Sequence, residues 1–455
     1  MRRIIFAVVI SILTLTPLAA QDGFAEQSGF AGQSGFAGQS FGFGFDDEAE
    51  IEGGSGGIGG GPPAVNIDGE VSAAMTGFID DFSNGAEDTR LGDVFSGKLN
   101  FSAESSLASA VINLKLASGL VYYGEKSPVY VDEAYLTAWF GKLDLEAGLR
   151  KLTWGKADAF GPLDVINPLD NADLSAMDMS DAASLKIARP LVHASVRLGQ
   201  FTKLEGVFVP WFEAPPLPTG RWAQPLPVAP TLPDTSTLDY FQAGLRFTTT
   251  IVNAADVGVQ YYYGRLTKPA VTMSFTTPSP LPTAVNFAYN PYHQVGVDFA
   301  QVLFGFNIRA ELAANITEDI DGDDGAVYNP ALAWSLGFDR DLFWGINLNL
   351  QCNESIRLLD NEITRPDDIE DNSDITATQI IAALSKKFLR DELELSAAVL
   401  WEVEERDFLV MPAVTWTKDD VSIGFSAGIF GGDEAGMFGR FRDNSFIKMG
   451  ITYTF

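Results

Sequence analysis

Toward its end the chain alternates apolar and polar residues one by one, and it does so up to the last position. Ile447, Met449, Ile451, Tyr453 and Phe455 fall on one side of an extended segment, and Lys448, Gly450, Thr452 and Thr454 on the other. A period of two places successive side chains on opposite faces of a strand. The pattern recurs at Val421, Ile423, Phe425, Ala427 and Ile429, and again at Leu393, Leu395, Ala397, Val399, Trp401 and Val403. Past the N-terminal leader there is no run of about 18 apolar residues, the length a helix needs to cross hydrocarbon. Yet hydrophobic residues make up 46% of the chain and aromatics 12%. Apolar residues at every second position suit a sheet closed into a membrane barrel, in which every backbone polar group is paired and no edge is left.

Eighteen candidate strands follow from the pattern, near 65–80, 91–104, 106–118, 129–141, 142–152, 184–198, 200–212, 237–249, 253–266, 289–302, 304–316, 328–339, 342–357, 375–389, 391–404, 406–417, 420–430 and 443–455. Every second connection is a tight turn, such as Gly141-Lys142, Gly199-Gln200, Arg390-Asp391 or Lys418-Asp419-Asp420, and those between are mostly long. Short turns at one end and long loops at the other are expected of a transmembrane antiparallel β-barrel with a periplasmic and an external side. The connection Glu404 to Asp407 is too short for the long set, so counts of 16 or 14 stay open beside 18. Pro412, in mid-strand, weakens its segment because proline cannot donate to the ladder.

Residues 1–20 have the form of a secretory signal: Arg2 and Arg3, an apolar run from Ile4 to Leu13, then Leu18-Ala19-Ala20. Its removal takes the formal charge from −30 by two more units, to −32. Such an acidic chain has no basic face for nucleic acid. Residues 21–63 repeat Gly-Phe-Ala-Glu/Gly-Gln-Ser three times, then run through an acidic patch and a glycine tract. This composition cannot bury a core and is expected to be a disordered periplasmic segment. The barrel then occupies 64–455. The single Cys352 gives no internal disulfide, so stability rests on closure of the sheet.

The terminal Ile-Thr-Tyr-Thr-Phe, with Tyr453 and Phe455 on the apolar face, resembles the signal that the barrel-assembly machinery reads in bacterial outer-membrane proteins. The resemblance covers about 65–455 and implies a multi-pass barrel in the outer membrane, with outer-membrane lipid and the assembly machinery as partners. Within it, Leu152-Thr153-Trp154-Gly155-Lys156-Ala157-Asp158 leading to Asp164-Val165-Ile166-Asn167-Pro168-Leu169-Asp170 is similar to a W-G-x-x-D … V-I-N-P-x-D segment in a family of outer-membrane proteins of uncharacterised function. That second resemblance spans about twenty residues and implies no substrate.

The segment falls in the third long loop, 153–183. In general porins, which this arrangement resembles, that loop folds inward and narrows the channel. The resemblance places Asp158, Asp164, Asp170, Asp173 and Asp178 at a constriction; as turn and cap residues they would equally suit a surface loop. If the apolar set of each strand faces lipid, Lys98, Lys115, Arg150, Arg189, Arg197, Arg246 and Arg309 face the lumen, because a basic side chain on the lipid face costs roughly 2–4 kcal/mol at the midplane. Lumen carboxylates such as Asp144, Glu146, Glu311, Glu394, Glu402 and Glu404 tilt an open pore toward cations.

Two histidines, His193 and His293, offer no spacing that makes a base, its orienting group and a nucleophile, so no enzyme activity is expected. The run Asp319 to Gly325 has oxygen ligands at alternate positions but lacks the closing glutamate of a calcium loop, and neither a metal nor another cofactor is expected. The expected function is a porin-like passive channel for small polar solutes or ions. Two alternatives stay open: a closed barrel displaying its external loops to partners, and a plugged transporter of hydrophobic solutes. A homo-oligomer is also left open.

Overall fold

Eighteen strands pair antiparallel with their neighbours, and the ring closes where the first meets the last. The computed structural model describes residues 64–80, 95–118, 129–251 and 255–455, apart from Asp178, Ser180, Asp181, Thr219, Gln224, Pro225, Pro227, 277–280, Pro366 and Asn372. Residues 1–63, read above as signal peptide and disordered segment, lie outside the described residues.

The strands among them are β1 (Ala64–Phe78), β2 (Phe95–Glu104), β3 (Ala108–Ser118), β4 (Val129–Phe140), β5 (Leu143–Arg150), β6 (Arg189–Arg197), β7 (Thr202–Val209), β8 (Gln242–Ile251), β9 (Ala255–Arg265), β10 (Ala270–Phe275), β11 (Pro282–Ala288), β12 (Pro291–Leu303), β13 (Phe306–Thr317), β14 (Ala331–Asp341), β15 (Ile346–Arg357), β16 (Thr376–Phe388), β17 (Leu393–Glu402), β18 (Asp407–Lys418), β19 (Val421–Gly432) and β20 (Phe446–Thr454). The pair β10–β11 forms a separate hairpin, and the other eighteen make the barrel.

The closing seam sets Glu70 opposite Thr454 and Phe78 opposite Phe446. Beyond it, Gly69 and Phe455 exchange backbone hydrogen bonds of 3.0 and 2.9 Å. The alternation resolves as expected on β20, where Ile447, Met449, Ile451 and Tyr453 are exposed on the outer wall while Phe446 is buried within. Val71, Met75, Val295, Val297, Leu312, Leu336, Leu384, Leu395, Trp401 and Phe425 are exposed in the same manner. An apolar belt all round the wall is what hydrocarbon selects, and the protein is a multi-pass barrel of the bacterial outer membrane.

Connections at one end are two to four residues long, which marks that end as periplasmic; at the other lie 151–188, 210–241, 266–290 and 358–375. The doubtful connection is a tight turn, Val403–Arg406, on the external side, so the count stays at eighteen. Pro412 keeps its pairing to Ala397 of β17, whereas the ladder to β19 is interrupted between Val410 and Ala413. Its missing N–H is therefore turned to β19, and the strand survives with a local gap. The β10–β11 hairpin falls in a stretch read from sequence as loop. It belongs to an external cap, in which the Tyr328 hydroxyl donates to the Pro269 carbonyl at 3.0 Å and the Asn329 N–H to Glu370 Oε2 at 2.7 Å. Burial holds the Glu370 carboxyl above its ordinary range against that N–H.

Candidate functional site

The connection from β5 to β6, residues 151–188, turns into the barrel. Its base is stapled by Asn167. The Asn167 carbonyl accepts the Leu152 N–H at 2.8 Å, and its amide donates to the carbonyls of Arg150 and Ile187 at 3.0 and 2.8 Å. One fully buried side chain thereby joins both legs of the loop to the strand ends. Beside it Lys186 donates to Asp164 and, at 3.3 Å, to the Leu152 carbonyl. Trp154 lies 1% exposed among Leu152, Ile166, Leu191, Val207, Val209, Tyr262 and Tyr292. A β-carbon on Gly244 of the wall would come within 2.7 Å of its indole, so the barrel makes room for the ring by carrying a glycine.

At its inner end the loop grips the far wall through backbone groups. Glu311 on β13 accepts the N–H groups of Lys156, of Ala157 at 2.7 Å and of Leu163 at 3.1 Å. Gly155 has φ +105°, and a β-carbon there would sit 2.4 Å from Glu311 Oε1, so both conformation and contact demand glycine. Gln351 on β15 accepts from Asp158 N–H at 2.9 Å and donates back to the Ala159 carbonyl. Gln260 and Gln294 donate to the carbonyls of Leu163 and Pro162 at 2.6 and 2.9 Å. Asp158 meets Arg309, which also reaches Asp339, and accepts from Asn349 at 2.9 Å. Buried backbone groups need partners, and inward side chains of β9, β12, β13 and β15 supply them.

The other side of the loop is apolar. Phe160, Leu169, Leu174, Met177 and Met179 belong to one buried cluster with Ile381, Leu400, Leu409, Phe430 and Phe446 of the inner wall. The sequence led to polar inner faces throughout; instead β16 to β20 carry an apolar inner patch where the loop packs, bordered externally by buried Gln379, Glu402 and Asp407. Lipid selects one face there and the packed loop the other. Phe160 takes φ +55°, a conformation disfavoured for a side chain of its size and held here by burial.

The sequence-derived residues divide among several settings. Asp158 and Asp164 are buried and paired as above. Asp170 accepts the Ala172 N–H at 3.1 Å, and exposed Asp173 caps a short turn through Ser175 at 2.9 Å; Asp178 lies outside the described residues. Arg150 meets Glu146 and stacks over Tyr135 at 4.4 Å. Arg189 reaches Glu213 at 2.7 Å, Arg197 Asp144 at 3.2 Å, Arg246 Asp298 at 2.7 Å, Lys98 Glu70 at 3.1 Å and Lys115 Asp132 at 3.0 Å. Tyr453 and Phe455 are exposed on the outer wall, their rings stacked 6.2 Å apart. The anchors Gln260, Gln294 and Gln351 carried no signal of this role, since an inward amide on a strand looks like any other polar lumen residue, whereas Asn167 stood out as part of the 152–170 segment.

His193 sits between Glu146 and Glu205, with Nδ1 at 2.7 Å and Nε2 at 3.3 Å from their oxygens. Both ring nitrogens are thus occupied, and neither is turned to a nucleophile such as Ser195 on the same strand. Asp319 accepts the backbone N–H groups of Gly322, Asp323 and Asp324 at 2.9, 3.1 and 3.1 Å, so the acidic run folds around its own first carboxylate.

A closed ring of eighteen antiparallel strands with an apolar outer belt and an inward third long loop has a porin-like architecture. The chain matches no protein-family model and no curated protein. Among solved structures it is similar to Pseudomonas aeruginosa OccK9 (OpdG), with a TM-score of 0.50 and 10% identity over 86% of this chain and 97% of that one. It is also similar to Acinetobacter baumannii OccAB4, at 0.49 and 10% over 87% and 98%. A third is the Escherichia coli capsule-assembly protein Wzi, described as a carbohydrate-binding β-barrel, at 0.47 and 11% over 86% and 85%. At these identities the likeness is one of fold.

Proposed function

We propose that the protein is a porin-like passive channel for small polar solutes or ions across the outer membrane, with the 153–183 loop as its constriction. The observation that carries this reading is the inward loop itself, gripped by Glu311 and Gln351 across the lumen from its root. Asp158 and Asp164 then serve mainly to hold the loop, while Asp170, Asp173 and Asp178 and the basic set Lys98, Lys115, Arg150, Arg189, Arg197, Arg246 and Arg309 set the field along the passage. Fixed charge in a narrow passage concentrates counter-ions, and the excess of carboxylates favours cations. Passage involves no covalent chemistry. Tyr453 and Phe455 form the signal for the assembly machinery, and the 152–170 segment keeps its likeness to the uncharacterised outer-membrane family.

A second reading is a closed barrel that displays its external loops. One observation favours it: from Leu152 to Leu169 only Thr153 and Val165 are not buried, so the loop is packed on all sides. Single-channel conductance of the purified protein in a planar bilayer, with the reversal potential under a salt gradient, separates the two. Small steady openings with cation preference that grow when 151–188 is shortened support the channel. Silence from a well-folded barrel, with and without the loop, moves the weight to display.

A further inference from the structure

The connection from β7 to β8, residues 210–241, does not stay above its own strands. Strands β8 and β19 are the eighth and seventeenth members of the ring of eighteen, half its circumference apart. Yet Trp222 of this connection is buried against β1, β19 and the 433–445 loop: its ring lies 6.2 Å from Phe78, 5.4 Å from Phe430 and 5.3 Å from Phe441. Arg221 stacks on Phe78 at 3.5 Å, and the Asn444 amide donates to the Arg221 carbonyl at 2.9 Å.

Both legs are tied down near their roots. On the outgoing leg Glu213 pairs with Arg189 at 2.7 Å and Phe212 packs on Tyr289 at 4.9 Å. On the return leg the Thr231 N–H donates to the Val285 carbonyl at 2.8 Å and the Thr231 carbonyl accepts from Phe287 at 3.0 Å, a single parallel bridge to Asn286 of β11. Leu226 and Val228 pack on the same hairpin. Between these fixed legs the contact with the far rim is an aromatic cage around one tryptophan. Pro215, Pro216, Pro218, Pro230 and Pro233 fix φ at their positions and stiffen the described parts of the connection.

We propose that residues 210–241 form a latched strap over the external mouth, with Trp222 as the latch, and that release of the latch admits solutes to the lumen. This rests on the channel reading above. A span rooted at two legs and held at the far rim by one local set of contacts, the Trp222 ring, the Arg221 stack on Phe78 and the Asn444 bond, can dock and undock there as a unit, which is what a gate needs.

The test uses the full protein with Cys352→Ser, a substitution on the lipid-facing side of β15, as background. Arg221→Cys with Asn444→Cys locks the strap on oxidation. Conductance in a planar bilayer is read before and after a reducing agent, together with liposome swelling in a neutral pentose. The expected result is a severalfold loss of both signals in the oxidised form, restored by reduction, and a severalfold gain for Trp222→Ala with the heat-shifted gel mobility of a folded barrel unchanged. If Trp222→Ala does not fold, the locked pair decides alone. Conductance indifferent to the lock overturns the strap and leaves the channel standing. Silence in every form, including one shortened in 151–188, overturns both.

Discussion

At the residue scale the loop depends most on Glu311. A hydrogen bond contributes about 0.5–1.5 kcal/mol net, and Glu311 takes three from the loop backbone while two glycines make way for it. Glu311→Ala therefore frees the inner end of the loop without touching the sheet. Limited proteolysis is expected to cut within 153–183, and bilayer conductance to rise, while barrel mobility on gels stays unchanged. Glu311→Gln, which keeps one acceptor oxygen, should fall between; an unaltered cleavage pattern in both would refute the anchoring role. Trp154→Ala removes about 3–5 kcal/mol of packing from the loop base and should lower the temperature at which the protein becomes protease-sensitive. The motif residues Trp154, Gly155, Asp158 and Asn167 stood out in the sequence as a unit. Their partners did not, because the other half of most of these contacts is backbone or an unremarkable inward amide.

At the scale of elements, the barrel strands were legible because lipid outside and a polar lumen inside impose strict alternation on most of them. β17 and β19 were legible too, because their inward positions toward the periplasm are polar or small, as at Glu394, Ser396, Ser422 and Gly424; only the inner patch that meets the loop was not foreseen. The β10–β11 hairpin escaped notice for another reason: it is short, flanked by prolines and buried against other loops, so no face of it meets lipid. β18 shows how a strand tolerates its proline. Pro412→Val returns an N–H to the interrupted ladder with β19 and should stabilise the barrel by about 0.5–1.5 kcal/mol, the net worth of one hydrogen bond. A higher urea midpoint with an unchanged slope would bear this out; a midpoint at or below that of the unaltered protein would mean that the gap serves the local fit.

For the whole molecule, the lumen is divided along its axis. The 151–188 loop packs at mid-height, where it reaches Arg309 four residues into β13 and Gln351 six residues into β15, both counted from the periplasmic turns. At the periplasmic end of β6 the inward Arg197 is open to water, its side chain 54% exposed. Externally, the loops knit into a cap. A solute entering from outside therefore meets the cap first and the loop second, and removal of the loop alone is expected to raise conductance less than removal of the loop combined with Trp222→Ala. Because resistances in series add, a double variant that gains more than the sum of the two single gains would show two barriers in series; a gain no larger than the better single variant's would show one.

The seam between β1 and β20 also bears on biosynthesis. The strand that completes the ring, β20, follows all the other strands in the chain, and Phe455 is bonded to Gly69 across the seam. A ribosome that stops early releases a chain in which β1 keeps β2 on one side and has no partner on the other, and an open sheet with two bare edges is a template for aggregation. The cell thus has a simple criterion: only a polypeptide translated through β20 can lose its edges. Removing 446–455 should yield material that is degraded in the periplasm instead of an incomplete barrel in the membrane, a result that pulse-chase labelling would reveal.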